Sequence, residues 1–119
     1  MVHSCQEFKE IEEYFLNQGY THIAIYGMGD VGKILLNELD GGNIQIAYVV
    51  DKSEVSLGDR VRLIKPNQSF DKVDLIVVTA IGDFENICRM ISQKVQCPIL
   101  SIEDIVFEYG KDYYSERCL

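Results

Sequence analysis

His22-Ile-Ala-Ile-Tyr26 running directly into Gly27-Met28-Gly29-Asp30-Val31-Gly32 is the stretch whose reading decides the fold. Five mainly apolar residues suit a central strand buried on both faces. Three glycines then fall at the spacing of a tight strand-to-helix turn, each with its own mechanical reason. Gly27 permits the sharp exit from the strand. Gly29 has no side chain to stand between an anion and the helix N-terminus. Gly32 lets the helix lie close to the sheet. A helix that starts there aims unpaired N–H groups and its positive dipole end outward, which is the chemistry that grips a diphosphate.

Working outward, residues 4–18 read as a helix: Ser4 and Glu7 have capping-box spacing, Phe8, Ile11, Tyr14 and Phe15 form an apolar stripe, and Gly19 is a natural stop. After the glycine turn, Val31 to Leu39 reads as a helix with Val31, Ile34, Leu35 and Leu39 toward the sheet, ended by Gly41-Gly42-Asn43. Ile44 to Val50 is a second strand ending at Asp51. Arg60 to Lys65 is a short edge strand stopped by Pro66. Asp74 to Thr79 holds the β-branched run Leu75-Ile-Val-Val78, Ile81 to Val95 is a helix facing inward through Phe84, Ile87, Cys88 and Ile91, Pro98 to Ser101 is a last strand, and Ile102 to Tyr109 a closing helix with Ser101 at its cap. The link between the second and fourth strands is short for a crossover helix and is expected to be a loop. This alternation predicts an α/β fold: one three-layer domain over 1–119 with an open parallel sheet of about five strands in order 3-2-1-4-5. An extra N-terminal helix precedes a core over 21–109, and a polar tail over 110–119 follows.

With 119 residues the chain is of one-domain size, and 47% hydrophobic with 25% charged residues is a globular composition. The formal charge of -8 and the lack of a Lys/Arg run argue against nucleic acid, so a bound phosphate has to be held locally by backbone amides. Cys5, Cys88, Cys97 and Cys118 form no CxxC pair and match neither a zinc site nor a dense disulfide framework, so reduced thiols and a cytoplasmic location are expected. No apolar run reaches the roughly 20 residues of a membrane span.

The expected ligand residues are Gly27, Met28, Gly29, Asp30, Val31 and Gly32 at the turn, Asp51 and Lys52 at the end of the second strand, and Thr79, Ala80 and Ile81 across the crevice where strand order reverses. Asp51 follows the turn by roughly 20 residues, where an acid accepts hydrogen bonds from ribose hydroxyls. The same carboxylate would repel a 2′-phosphate, which favours NAD over NADP, a preference that Lys52 tempers. Asp30 suits the helix dipole and is expected to point away from the ligand. Thr79 could donate a hydrogen bond to it, or simply belong to an ordinary strand-to-helix loop. His3 and His22 pair with no nucleophile, His22 lies at the wrong end of its strand, Asp83 and Glu85 read as helix-dipole partners, and Cys88 as a packed thiol. No catalytic residue and no metal site are assigned, and the chain by itself is not expected to be an enzyme.

Ile25-Tyr-Gly-Met-Gly-Asp-Val-Gly-Lys33, Tyr48-Val-Val-Asp-Lys52, Asp74-Leu-Ile-Val-Val-Thr79 and Cys97-Pro-Ile-Leu-Ser-Ile-Glu-Asp-Ile105 together resemble the NAD(P)- or nucleotide-binding Rossmann domains of bacterial sugar-nucleotide and surface-polysaccharide biosynthesis proteins. The likeness reaches across most of residues 22–106. It implies a dinucleotide or nucleotide diphosphate (NAD, NADP or another) held by Gly27, Gly29, Gly32 and Asp51, in a domain that serves a catalytic module as sensor or binding lobe. Unlike the epimerase and dehydratase members, no catalytic domain follows the core in this sequence, and Tyr48-x-x-x-Lys52 falls on a strand rather than on a catalytic helix. The glycine turn with Val50-Asp51-Lys52 also resembles nucleotide-sensing domains that regulate potassium channels and transporters, although the gap from Asp51 to Asp74 is short for them. Three functions stay open: an accessory or regulatory nucleotide-binding module, an oxidoreductase subunit or fragment whose substrate domain lies elsewhere, and an interaction domain with a vestigial site. The last would form a homodimer through the 4–18 helix or a sheet edge, and a partner catalytic domain is the other partner expected.

Overall fold

A computed structural model of the protein describes residues 11–53, 61–102 and 105. The expected cap at Ser4 and Glu7, His3, Cys5, Cys118 and the 110–119 tail lie outside them. The chain is helical over 11–17 (α1) and continues through β1 (His22–Tyr26), α2 (Asp30–Leu39), β2 (Gln45–Val50), β3 (Leu63–Ile64) and β4 (Leu75–Val78). A 3-10 turn (Ile81–Asp83) then leads into α3 (Phe84–Ile91) and β5 (Ile99–Ser101), and Ile102 and Ile105 are helical beyond it. All strand pairs are parallel and the order is β3-β2-β1-β4-β5, an α/β fold with the expected reversal between β1 and β4.

Each face of the sheet has its own core. Ile23, Ile25, Val49, Leu75 and Val77 pack against Ile11 and Phe15 of α1, Leu35, Leu36 and Leu39 of α2, and Ile102 and Ile105. Ala24, Tyr26, Tyr48, Val50, Ile76 and Val78 pack against Ile87 and Ile91 of α3. The period-2 alternation of β1 and β4 thus feeds both layers, as a sheet covered on both sides requires. Inside α2 the inward residues are Gly32, Leu35, Leu36 and Leu39, with Val31 half-buried, whereas Ile34, expected to face the sheet, is 42% exposed. The stripe is rotated because the helix presents Gly32 to the sheet, and Leu36 falls on that face one turn later.

Gly19 stops α1 as expected. It adopts φ +87, its N–H donates to the Leu16 carbonyl, and the Tyr20 N–H donates to the Phe15 carbonyl at 2.8 Å, a Schellman closure in which the Tyr20 ring packs on Phe15.

One feature lies inside a predicted strand and another in the link expected to be a loop. Ala47 is an extra residue in β2: Ile23 pairs with Ile46 but Ala24 pairs with Tyr48, a bulge that turns Tyr48 and Val50 toward the α3 face. Between β3 and β4, residues 65–74 contain no helix. Phe70 and Val73 of this stretch cover the α3 face beside Tyr48, whose hydroxyl donates to the Asp71 carbonyl at 2.7 Å. Burial, reinforced by Cys97 and Asp71, pushes the Tyr48 phenol up to about 12. Lys94, just past α3, holds the stretch from outside by donating to the Pro66 and Gln68 carbonyls over the Phe70 ring.

At the amino ends of the strands, Asp74 Oδ2 accepts the N–H groups of His22 (3.0 Å) and Thr21 (3.1 Å), clamping β4 to β1. These donors hold its carboxyl below the ordinary value of 3.8. A depressed carboxylate stabilises the fold fully above its unfolded value, and that contribution vanishes as pH falls through the lowered one. Denaturant titrations at a series of acidic pH values should therefore show Asp74→Asn less stable than wild type at neutral pH, with the difference shrinking on acidification. A pH-independent difference would show that the clamp does not act through the charge.

Candidate functional site

The fold itself requires two of the three glycines, and the third is left to solvent. Gly27 has φ +103, and a Cβ there would lie 2.7 Å from Thr79 Oγ1. At Gly32 a Cβ would collide with the carbonyl oxygen of Gly27, so α2 reaches the end of β1 only because that atom is missing. Gly29 differs from both: its φ is -77, open to any residue, and a Cβ there would meet nothing within 4 Å.

The amides of the turn divide in the same way. Gly27 N–H donates to the Val50 carbonyl at 2.8 Å and extends the sheet by one rung. Met28 N–H donates to Asp51 Oδ2 at 2.6 Å, while its side chain is buried in the α2 core. Gly29 is the N-cap of α2 and supplies no side-chain cap; among the described residues no acceptor meets the N–H groups of Gly29, Asp30 or Val31. They are the orphan donors that any helix start leaves, and beside them a Cβ at Gly29 would find open space. Asp30, the first helical residue, is exposed.

Asp51 stands directly past the end of β2, brought there by the register beyond the bulge, which pairs Val50 with Tyr26. Its Oδ1 accepts the Ser53 N–H at 2.8 Å, so the carboxylate is held by two backbone donors. A carboxylate has about four acceptor positions, which leaves two for other partners. Lys52 is exposed, and its carbonyl accepts Lys65 Nζ at 3.2 Å.

Across the crevice, Thr79 serves the turn. Its hydroxyl lies 2.7 Å from the Gly27 carbonyl and 3.2 Å from that of Tyr26, and its N–H donates to Tyr26 at 2.9 Å. The one hydroxyl hydrogen is thereby committed to the protein backbone, so toward a ligand Thr79 can only accept. Ala80, half-buried, and the backbone of Ile81, which opens the 3-10 turn, follow it at the carboxyl end of β4.

Tyr26, which sequence reasoning assigned only to the strand, also belongs to this site. It is the last residue of β1, and burial raises its phenol pKa, with the charges of Asp51 and then Asp83 adding to the effect. An aromatic residue immediately before Gly27 was the available signal. His22 lies at the opposite end of the same strand, exposed, with Nδ1 at 3.1 Å from Thr21 Oγ1. Asp74 bonds Thr21 rather than the imidazole, so the three do not form a base with its orienting acid. Cys88 and Cys97 are free thiols, half-buried, and burial raises Cys97. Among the described residues no group of three or more His, Cys, Asp or Glu side chains could hold a metal ion, and no helix is long and apolar enough to cross a membrane.

No family model, curated protein or solved structure matches the chain.

The asymmetry between glycines is measurable without any ligand. Gly32→Ala should destabilise the protein by about 1–3 kcal/mol or more through overpacking. Gly29→Ala should cost about 1 kcal/mol or less, the loss of a tolerated N-cap residue. Equal losses in chemical denaturation would contradict the geometry of the corner.

Proposed function

We propose that this chain binds the diphosphate of a nucleotide, NAD in preference to NADP, at the corner between β1 and α2. The observation that carries the reading is the open, side-chain-free space at Gly29 beside amides of Gly29, Asp30 and Val31 that have no acceptor among the described residues. A glycine retained only for packing would be filled from the protein side, as Gly27 and Gly32 are. The local donors offset an overall charge of -8, which repels anions at long range, so affinity has to come from directed N–H groups and the helix dipole rather than from the general field. Asp51, oriented by Met28 and Ser53, keeps two acceptor positions for ribose hydroxyls and presents a negative charge where a 2′-phosphate would stand. The resemblance of the four quoted segments supports a role as an accessory or regulatory lobe in sugar-nucleotide or polysaccharide metabolism, with the catalytic step on a partner domain.

The second reading, an interaction domain whose corner is vestigial, has its own support. The carboxylate of Asp51 is satisfied twice from within the protein, and Ile34 and Met90 each stand 42% exposed on outer helix faces.

Titration calorimetry with NAD, NADP, ADP, coenzyme A and a UDP-sugar separates the two. The nucleotide reading expects saturable heat with NAD, weaker heat with NADP, and a loss of at least about tenfold, or 1.4 kcal/mol, for Gly29→Val with the fold retained. Flat traces for every compound would favour the interaction domain. Undiminished binding by Gly29→Val would move the diphosphate away from this corner.

A further inference from the structure

The crevice holds a polar group that none of the described residues engages. Tyr26 is 5% exposed, and its ring lies in the α3-side core. Its hydroxyl has no hydrogen-bond partner among the described residues. Yet none of the described side-chain oxygens is both buried and unpartnered, so the small accessible part of the residue includes the hydroxyl. In the sheet Tyr26 is flanked by Val50 and Val78. Asp51 follows the first directly, and Asp83 closes the 3-10 turn beyond the second. The phenol therefore belongs to the carboxyl end of the central strand, on its α3 side, within electrostatic reach of Asp51 and Asp83.

We infer that Tyr26 is a specificity-determining contact of this crevice, donating a hydrogen bond to a sugar hydroxyl that in turn donates to Asp51. This rests on the nucleotide reading and names the part of the ligand that lies beyond the diphosphate. The phenol stays protonated, since burial and the two flanking charges all oppose its ionisation, and it faces the ligand as a donor. Asp51, with two acceptor positions left, can only accept. A ligand hydroxyl between them can accept from the phenol and donate to the carboxylate on a single oxygen. A phosphate oxygen has no proton to give at neutral pH and is repelled by Asp51 and Asp83. The α3 side of the crevice thus selects a neutral, hydroxyl-bearing ring, while the anionic part of the ligand lies over α2.

The experiment compares ADP with its 2′,3′-dideoxy analogue on the wild-type chain and on Tyr26→Phe, with thermal unfolding to verify that the variant is folded. Wild type should bind ADP more tightly than the analogue. Tyr26→Phe should reduce ADP affinity by about two- to tenfold, the range of one hydrogen bond, while leaving analogue affinity unchanged. If wild type prefers ADP and the variant keeps the same affinities, the Tyr26 assignment is wrong and the glycine corner stands. Equal weakening for both ligands would also overturn it, since the hydroxyl would then act on the shape of the site. Binding of neither compound by wild type would remove the corner and Tyr26 together. Should the variant not fold, the ring-carbon NMR signal of labelled Tyr26 in wild type takes its place: a shift with ADP and none with the analogue supports the contact, and identical responses contradict it.

Discussion

The approach of Gly32 to the carbonyl of Gly27 is the constraint on which the rest of this structure depends. A helix that follows a strand after so few residues must cross the strand's end at close range, and here it does so with no side chain between the two backbones. The contact draws the first turn of α2 against the sheet, buries Leu35, Leu36 and Leu39 in the larger core, and leaves the opening amides of the helix pointing away from it. Packing on one side of the turn thereby fixes where the helix start, with its unsatisfied donors, lies. A β-carbon at position 32 would push the helix out and scatter those donors.

Asp51 reaches the corner because β2 carries one residue more than β1 over their shared length. The bulge at Ala47 brings Val50 opposite Tyr26, so that Val50 receives the N–H of Gly27 and the next residue meets Met28. The carboxylate then has two tasks with different partners: it closes the turn from within through Met28, and it offers acceptors outward. On the proposed reading, this division makes an acid beside an anion site tolerable: part of its charge is taken up by two backbone donors, while the amides of Gly29, Asp30 and Val31 are left for a phosphate.

Much of this was legible in the residues. The β1 strand occupies His22–Tyr26 as its apolar run indicates, the strand order follows from alternating β and α segments, and the reasons for Gly27 and Gly32 are mechanical ones that sequence spacing already carries. Other features left no mark. From Ile46 to Val50 the run is continuously apolar, and over such a stretch there is no alternation from which an extra residue could be detected. Ile34 obeys helical spacing as well as Leu36 does; which of them turns inward depends on where Gly32 must sit. The hydroxyl of Thr79 was available to a ligand on paper, and only the fold shows it turned back to Gly27 and Tyr26. The helix-free link over 65–74 was expected from its shortness, but its partners, Tyr48 and Lys94, are distant ones that no local pattern announces.

The central claim is that the first amides of α2 are an anion grip rather than an idle helix end, and amide-resolved NMR during titration with inorganic pyrophosphate tests it most directly. The account predicts saturable shifts concentrated at Gly29, Asp30, Val31 and Gly32, with Met28 moving less because Asp51 already holds its N–H. Spectra unchanged at these residues, or shifts clustered on exposed lysines far from the corner, would contradict it.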